Sequence, residues 1–295
     1  MKELRRIASL VGSLSEVEFK VLETMERMAD GGRASTPEIL ARSLGLGLDY
    51  VEGMLEELNK RRLVWSPRGR GREYLLNFSS LDLLALHSAS RRGILTHIGV
   101  KVGVGKEADI YAGMTGEGSA VGVKFYRIGR TSIKKHKRFR EAGLGAANYL
   151  VSSKKAAQRE IQALRILHPK GVPVPAPVYR NRHMVITSLI EGELLVDIRS
   201  LPDPETLLSE IVRSVKLALE AGVIHCDLSA YNILVTPDGR HVIIDWPQWV
   251  KPSHPNAESY LRRDIENVAS FFRRRFGVFR PVEEVLGGFL RVGGL

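Results

Sequence analysis

Apolar residues recur at intervals of three and four positions in the first part of the chain, which is the spacing of one helix face. The pattern predicts a first helix from Ser15 to Ala29. A second helix begins with Thr36 as its N-cap and Pro37 in its first turn, and a third extends from Asp49 to Arg61. The apolar face of the first helix consists of Val17, Val21, Leu22, Met25 and Met28. This part of the chain is therefore predicted to form three short amphipathic helices.

Two apolar runs after the third helix, residues 63–65 and 74–76, enclose a segment rich in Gly and Arg, residues 66–72. Such a pattern is typical of a β-hairpin with a basic tip. Three helices and a basic hairpin predict a winged helix-turn-helix domain over residues 1–80, followed by a linker helix over residues 81–93.

Winged-helix domains often place their third helix and their wing on nucleic acid, which makes residues 66–72 a candidate contact to a phosphate backbone. Other domains of this architecture bind proteins. Acidic and basic residues mix on the third helix, at Glu52, Glu56, Glu57, Lys60 and Arg61. Both interpretations of the domain therefore stay open.

A glycine-rich turn joins the next two predicted strands, residues 98–104 and 109–114. Because glycine has no Cβ, such a backbone can approach phosphate oxygens closely, and a neighbouring lysine adds positive charge. An ordinary glycine hairpin has the same spacing. The candidate nucleotide-binding residues of the turn are Gly103, Val104, Gly105, Lys106 and Glu107.

Lys124 lies in a third predicted strand, Ala120 to Tyr126, which resembles the strand whose lysine holds the nucleotide phosphates in kinases. A lysine in that position pairs with a glutamate of the following helix. Glu160, on the strongly helical segment from Ser152 to Leu167, is the candidate, in preference to Glu141 in a less regular Gly-rich stretch. Lys124 and Glu160 are therefore predicted to act together in catalysis.

The most specific segment of the chain reads His225-Cys226-Asp227-Leu228-Ser229-Ala230-Tyr231-Asn232. It matches the H-x-D-L-x-x-x-N loop of kinases, in which the aspartate orients or deprotonates the nucleophile and the asparagine coordinates a metal. A turn and a strand ending at Ile244 then bring Asp245 beside Asn232. Carboxylate and amide oxygens are ligands that Mg²⁺ prefers. Asp227 is the predicted catalytic residue, and Asn232 and Asp245 are the predicted metal ligands.

Residues 184–192 are predicted to form a strand that leads into the hinge between two lobes, with the backbone of Ser188 and Ile190 at the adenine edge. Residues 94–190 would then form the N-lobe and residues 191–295 the C-lobe. The predicted fold class is α+β, a two-lobed protein-kinase-like domain preceded by the winged helix-turn-helix domain.

Three segments together, Gly103 to Asp109, His225 to Asn232 and Ile244-Asp245-Trp246-Pro247-Gln248, resemble the RIO family of atypical serine/threonine protein kinases. The winged helix in front is similar to that of the second RIO type. The resemblance covers nearly the whole chain. It implies use of ATP with Mg²⁺, or with Mn²⁺ in its place, by an autophosphorylating kinase or an ATPase. It also implies a role in maturing the small ribosomal subunit, with the pre-ribosomal particle and its rRNA as partners, and a phospho-aspartate for which Asp245 is the candidate.

Several departures from ordinary protein kinases bear on the substrate. Ser229 stands where the loop lysine is usual, Asp245-Trp246-Pro247 replaces D-F-G, and no A-P-E signature follows. The residues after Asp245 are too few for the helical lobe that usually binds a peptide. ATP hydrolysis that drives release from a large partner is therefore an alternative to peptide phosphorylation.

A basic loop is predicted at residues 127–147, where Lys134, Lys135 and Lys137 belong to a nearly uninterrupted cationic run. We expect this loop to become ordered on rRNA. Thr131 and Ser132 are the candidate autophosphorylation sites within it. A solvated surface loop is the alternative.

Composition agrees with a polyanionic partner. Lys and Arg number 44 against 33 Asp and Glu, a formal net charge of +11. The single cysteine, Cys226, excludes an internal disulfide, and no apolar run has transmembrane length or the form of a secretion signal. A cytoplasmic protein without membrane contact is expected.

Two other functions remain as alternatives. A small-molecule phosphotransferase would share the Asp227 loop and the triplet at Asp245, but it would explain neither the winged helix nor the basic loop. A nucleic-acid-binding regulator with a degenerate kinase domain would explain the winged helix, yet Asn232 and Asp245 are intact metal ligands. A screen of small hydroxyl acceptors and a test of Mg-ATP binding distinguish the three.

Overall fold

The computed structural model describes residues 2–67, 72–129 and 143–293 of the chain. The chain divides into two compact units. The first unit comprises Met1–Ala157 and Arg180–Ile186, and the second comprises Gln158–Tyr179 and Thr187–Leu295. The boundary between the units passes through one long helix and two strands.

Helices and a two-stranded hairpin form the beginning of the first unit. They are α1 (Lys2–Leu10), α2 (Glu16–Asp30), α3 (Pro37–Leu44), α4 (Leu48–Lys60), β1 (Val64–Trp65), β2 (Leu75–Leu76) and α5 (Phe78–Arg91). Ser15 and Glu18 form a capping box at the start of α2. Thr36 caps α3, and Gly45 ends that helix in the left-handed conformation, with φ of 66°. The three helices of a winged helix-turn-helix are therefore present as α2, α3 and α4, and its hairpin as β1 and β2.

Helix α5 begins three residues before the predicted linker helix of residues 81–93 and ends two residues before that helix does. Asn77 and Ser80 form a reciprocal capping box, because each side chain accepts a hydrogen bond from the other residue's backbone N–H. The helix buries Leu81, Leu83 and Leu84 and packs against α1. Its apolar faces therefore belong to the core of the winged-helix part. The predicted domain limits at residues 80, 93 and 190 stay predictions.

A five-stranded sheet follows, with the strand order β3-β4-β5-β7-β6. The strands are β3 (His97–Val104), β4 (Ala108–Met114), β5 (Ala120–Tyr126), β6 (Pro177–Asn181) and β7 (Met184–Ser188). The first three pair antiparallel. At Gly113 an added Cβ would lie 2.9 Å from side-chain atoms of Leu95 and Val123, so that only glycine permits this packing. The register of β4 places the glycine-rich turn close to the strand that carries Lys124.

The second unit contains helices around a small sheet. Its elements are α6 (Gly143–Leu167), which begins in the first unit, then β8 (Glu193–Leu194), α7 (Pro204–Glu220), β9 (Ile233–Val235), β10 (His241–Ile243), α8 (Ala257–Phe276) and α9 (Val282–Gly293). The strand order is β10-β9-β8, with antiparallel pairs. Ile211, Ile233 and Phe272 lie in the buried core. This core supports the hairpin that carries the candidate metal ligands.

The chain combines helices with sheets in which neighbouring strands pair antiparallel at β1–β2, β3–β4, β4–β5, β8–β9 and β9–β10, which is an α+β architecture. None of the helices in the described part of the chain is long and apolar enough to cross a bilayer. The cytoplasmic location stays a prediction.

Candidate active site

The glycine-rich turn lies in the first unit, between β3 and β4. The amide of Gly105 donates a hydrogen bond to the carbonyl oxygen of Ala108 at 2.8 Å. The carbonyl oxygen of Glu107 accepts a hydrogen bond at 2.6 Å from the amide of Arg127, just beyond β5. The exposed residues of the turn are Val104, Gly105, Lys106 and Glu107. The turn is therefore held by backbone bonds while its outer residues face solvent.

Lys124 lies on β5 opposite Ile110 of β4, and Ile110 is paired with Gly103 of β3. Directly paired residues of antiparallel strands lie on the same face of a sheet. Gly103 and Lys124 therefore share one face. The Lys124 ammonium lies 4.8 Å from the ring centroid of Tyr126, a cation–π contact. The structure thus brings the predicted phosphate-binding lysine and the first glycine of the turn together.

In the second unit, Asp264 of α8 holds the loop that carries Asp227. Its carboxylate accepts hydrogen bonds from the amides of Cys226 at 2.8 Å and Leu228 at 2.9 Å. Cys226 has a φ of 69°, in the left-handed region that residues with a Cβ rarely adopt. Bonds on both sides of Asp227 stabilise this backbone, and Asp227 itself is exposed.

His225 also orients the loop. Its Nδ1 lies 3.2 Å from the amide nitrogen of Asp227, and its Nε2 lies 3.1 Å from the carbonyl oxygen of Ile244. A neutral ring with its proton on Nε2 satisfies both contacts, accepting from Asp227 and donating to Ile244. The ring also lies against the indole of Trp246, with 4.4 Å between centroids. His225 therefore connects the Asp227 loop to the strand that precedes Asp245.

Asn232 and Asp245 lie at the same end of the β9–β10 hairpin. The amide of Ile244 donates to the carbonyl oxygen of Asn232 at 3.0 Å, directly beyond the last paired residues of the strands. The Asn232 amide Nδ2 donates to the carbonyl oxygen of Asp227 at 2.7 Å. Asp245 adopts the left-handed region, with φ of 69°. The structure therefore brings the predicted catalytic residue and both predicted metal ligands together.

These side chains fit a magnesium ion by their chemistry. Asp245 offers a carboxylate, and Asn232 offers Oδ1 because its Nδ2 already donates to Asp227. Among the described residues there is no cluster of three or more His, Cys, Asp or Glu that could hold a metal. Mg²⁺ with few protein ligands takes further oxygens from phosphates and water. The donor set therefore suits a cation that binds together with a nucleotide.

Glu160 is buried on the part of α6 that belongs to the second unit. Its neighbour Arg159 donates from Nε to the carbonyl oxygen of Pro247 at 2.7 Å and from Nη2 to that of Trp249. The Trp249 indole returns a bond to the carbonyl oxygen of Arg159 at 2.9 Å. These bonds join the Glu160 turn of α6 to the segment after Asp245. Because Lys124 belongs to the other unit, its pairing with Glu160 stays a prediction.

In the predicted adenine-binding segment, Ser188 already forms hydrogen bonds within the protein. The amide of Ser188 donates to the carbonyl oxygen of Ala176 at 2.9 Å, and its hydroxyl oxygen accepts from the Ala176 amide at 2.9 Å. The backbone N–H of Ser188 is therefore engaged. Ile190, two residues further on, is the better candidate for a backbone contact to adenine, and both assignments stay predictions.

The predicted nucleic-acid contacts fall largely outside the described residues. Thr131, Ser132 and most of the basic loop at residues 127–147 lie there, as do residues 68–71 of the wing. Arg72, at the end of the wing, donates to Glu52 of α4. The described part of the wing therefore has its cation paired within the domain.

The sequence patterns did not identify four residues of this site. They are Arg159, Arg263, Asp264 and Asn267. Arg263 donates to the carbonyl oxygen of Cys226, and Asn267 donates to that of Leu228 at 3.1 Å. A signal for Asp264 was present, since it occurs among Leu261, Ile265 and Val268 on the apolar face of α8. A carboxylate on an apolar helix face has to find polar partners within the core.

A family model described as the RIO domain matches residues 109–285, more than half of the chain. The chain belongs to the RIO family. The RIO-type serine/threonine-protein kinase Rio2 of Methanocaldococcus jannaschii is 40% identical to it over 208 residues, which are 68% of this chain and 77% of that protein. Serine/threonine-protein kinase RIO2 of Caenorhabditis elegans is 32% identical over 275 residues, 92% of this chain and 52% of that protein. This RIO chain therefore spans about half the length of the nematode relative.

A solved structure gives the fold of this RIO chain independent support. The crystal structure of the Rio2 kinase-ADP/Mg²⁺-phosphoaspartate complex from Chaetomium thermophilum matches with a TM-score of 0.82 and 27% identity. The match covers 97% of this chain and 93% of that chain. The predicted α+β fold, a protein-kinase-like domain preceded by a winged helix, is confirmed, and so is the resemblance to the second RIO type.

Proposed function

We propose that this RIO protein is a serine/threonine protein kinase or ATPase that uses ATP with Mg²⁺. The observation that carries the proposal is the convergence of Asp227, Asn232 and Asp245, in which the Asn232 side chain bonds the Asp227 backbone and the hairpin adds Asp245. The relatives named as Rio2 kinases support the same activity. The small-molecule phosphotransferase and the degenerate regulator have no comparable support.

Each group has a role in this chemistry. The turn at residues 103–107 and Lys124 bind the phosphates of ATP, and Glu160 orients Lys124. Asn232 and Asp245 would hold Mg²⁺, which would neutralise negative charge on the phosphates of ATP. Asp227 accepts the proton of the attacking hydroxyl or water. Because Asp227 is exposed beside the two ligands, a nucleophile can reach it from solvent.

We also propose that the reaction passes through an acyl phosphate on Asp245. The Chaetomium structure is described as a phosphoaspartate complex. A carboxylate oxygen of Asp245 attacks the γ-phosphorus, the bond to the β-phosphate oxygen breaks, and ADP leaves with that electron pair. Water then attacks the phosphorus, Asp227 takes its proton, and phosphate departs while the Asp245 carboxylate is restored.

The test is turnover of γ-labelled ATP with Mg²⁺ by three variants. Asp227→Ala and Asp245→Asn should each lower turnover by about 100-fold or more, because they remove a group that acts in the transition state. Asp238→Asn is the matched control, since this exposed carboxylate lies in the turn of the same hairpin, paired with Arg240. Its turnover should equal that of wild type. A wild type that neither binds nucleotide nor releases phosphate would refute the proposal.

The chemistry of any bound label separates the two activities. Label on serine or threonine is stable in acid and indicates a kinase. Label on Asp245 is sensitive to hydroxylamine and should be absent from Asp245→Asn. Free phosphate without acid-stable label indicates an ATPase. Hydroxylamine-sensitive label that persists in Asp245→Asn would contradict the phospho-aspartate assignment.

We propose further that the partner is the pre-ribosomal small subunit, contacted through rRNA by the basic loop at residues 127–147. The net charge of +11 and the cationic run in that loop support it. The wing at residues 66–72 has weaker support, because Arg72 is paired with Glu52 and lies 4.0 Å from Glu38. The loop is therefore the stronger of the two candidate contacts.

Particle binding at several salt concentrations tests the loop. Changing Lys134, Lys135 and Lys137 to glutamine should reduce the slope of log affinity against log salt by about two to three, one unit per lost phosphate contact. A control with the same charge change replaces three exposed lysines elsewhere, Lys20, Lys170 and Lys251. If both triple variants change the slope equally, the effect comes from net charge and the loop has no special role.

A further inference from the structure

A buried ionic cluster lies within the first unit, between helix α5 of the winged helix and the end of β5. Asp82 of α5 is 3% exposed. Its carboxylate accepts from Nη2 of Arg127 at 2.7 Å and lies 2.9 Å from Nε2 of His183. Burial lowers the pKa of His183, and its Nε2 lies 2.9 Å from Nη1 of Arg127 as well as from the Asp82 carboxylate. The cluster therefore joins three separate segments of the chain.

Both members of the ion pair stay charged. Burial raises the pKa of Asp82, but Arg127 and His183 more than offset it, and the net pKa is below its usual value. Burial likewise opposes the charge of Arg127, whereas Asp82 raises its pKa above the ordinary range. The Arg127 guanidinium also lies over the rings of Phe78 and Phe125, 5.0 and 5.5 Å from their centroids. A buried guanidinium with these partners has little freedom to move.

The backbone of Arg127 reaches the glycine-rich turn. Its amide donates to the carbonyl oxygen of Glu107 at 2.6 Å, and the preceding amide, of Tyr126, donates to the carbonyl oxygen of His183 at 3.0 Å. Lys124 lies on β5, three residues before Arg127. Arg127 therefore contacts Asp82 of the winged helix through its side chain and the glycine-rich turn through its backbone amide.

We propose that Asp82 is a positioning residue for nucleotide binding. By holding the Arg127 side chain it fixes the amide that bonds Glu107 and the end of the strand that carries Lys124. The winged helix then raises the affinity of the same chain for ATP and ADP, in addition to any contact that it makes with a partner. This inference rests on the proposed role of the turn and of Lys124 in binding phosphates.

The chain contains a matched control for this idea. Glu26 of α2 is also a buried carboxylate of the winged helix, and it pairs with Arg182 at 2.7 Å and Lys154 at 3.2 Å. Neither partner lies in the glycine-rich turn or on β5. If the ion pairs serve only to attach the winged helix, loss of Glu26 and loss of Asp82 should have the same consequences.

The test compares Asp82→Asn with Glu26→Gln in the full chain. Calorimetry gives the dissociation constants of Mg-ADP and Mg-ATP and the melting temperature of each variant. Both changes should lower the melting temperature, because each removes the charge of a buried carboxylate that pairs with cations of other segments. Only Asp82→Asn should weaken nucleotide binding, by about tenfold, and raise the KM for ATP while kcat at saturating ATP changes little.

Hydrogen exchange supplies a second measurement. In the absence of nucleotide, the amides of Gly105 and Arg127 should exchange faster in Asp82→Asn and at the wild-type rate in Glu26→Gln. Should Asp82→Asn fail to fold, Arg127→Lys replaces it. Lysine keeps the charge but lacks the planar fork that contacts Asp82 and the rings, so the dissociation constant should again rise.

The outcomes are distinct. Unchanged nucleotide affinity in both Asp82→Asn and Arg127→Lys would overturn the proposal, and so would an equal loss of affinity in Glu26→Gln. A wild type that binds no nucleotide would instead overturn the proposed function. Tight binding by wild type with a selective loss in Asp82→Asn supports both.

Discussion

Asp264→Asn is the substitution that most directly tests how the Asp227 loop is held. The Asp264 carboxylate uses one oxygen for the amide of Cys226 and the other for the amide of Leu228. Asparagine keeps one oxygen but turns an NH₂ group toward the second amide. One bond is therefore lost, and a buried N–H is left without an acceptor beside Asp227.

The magnitude follows from these two bonds. A hydrogen bond to a charged group contributes about 1.5–3 kcal/mol, and an unsatisfied buried N–H adds a cost of similar size. We expect the free energy of unfolding to fall by about 2–4 kcal/mol. For a chain of this size that lowers the melting temperature by about 3–7 °C. If Asp227 then moves by about 1 Å, kcat falls by about 100-fold.

Two assays are needed, thermal unfolding and ATP turnover at saturating ATP. Glu266→Gln is the control, because Glu266 lies on the same helix and is exposed. It should leave both quantities at wild-type values. If Asp264→Asn lowers the melting temperature but keeps the wild-type kcat, the two bonds do not orient Asp227. If neither quantity changes, the bonds do not form in solution.

Three further predictions concern Cys226, His241 and Arg159. Burial raises the pKa of the Cys226 thiol from its ordinary 9.0 to about 11. A thiol reagent at pH 8 should therefore label native protein about 100-fold more slowly than urea-unfolded protein, and equal rates would contradict it. Burial lowers the pKa of His241 to about 4. Since the unfolded side chain takes up a proton near pH 6.5, the free energy of unfolding should fall as pH drops from 6.5 toward 4, by about 2 kcal/mol at pH 5. In urea titrations, the unfolding free energy of His241→Leu should not show this decrease. A pH profile of His241→Leu equal to that of wild type would refute the assignment to His241. Arg159→Met should lower kcat, because the turn of α6 that carries Glu160 loses its bonds to Pro247 and Trp249. Arg165→Met changes an exposed residue of the same helix and should leave kcat unchanged. Equal effects of the two substitutions on kcat would contradict a role for the Arg159 bonds.

The parts of the site that the sequence predicted are those set by short spacings. Asn232 and Asp245 flank one hairpin, so their proximity follows from the turn between them. The glycine-rich turn and Lys124 likewise lie on adjacent antiparallel strands. Turns and adjacent strands are determined by residues that are close in the sequence. Sequence patterns are informative over that range.

The residues that the sequence did not identify act across long separations. Asp264 follows Cys226 by 38 positions, and Arg159 precedes Trp249 by 90. Their contacts depend on how α8 and α6 pack against the loops, and no local pattern contains that information. The early start of α5 at Phe78 was not predicted for a different reason, because Ser80 takes a capping position where glutamate or glutamine is usual.

The two residues with left-handed backbones beside the site explain why distant groups are needed. Cys226 and Asp245 both have φ of 69°, and each such conformation costs roughly 1–3 kcal/mol at a residue with a Cβ. Neighbours in the sequence cannot offset that cost, since the local preference is for another conformation. The offset comes from Asp264 on the Cys226 amide and from His225 on the carbonyl oxygen before Asp245. The helix that supplies Asp264 is therefore as necessary for the geometry of Asp227 as the loop that carries it.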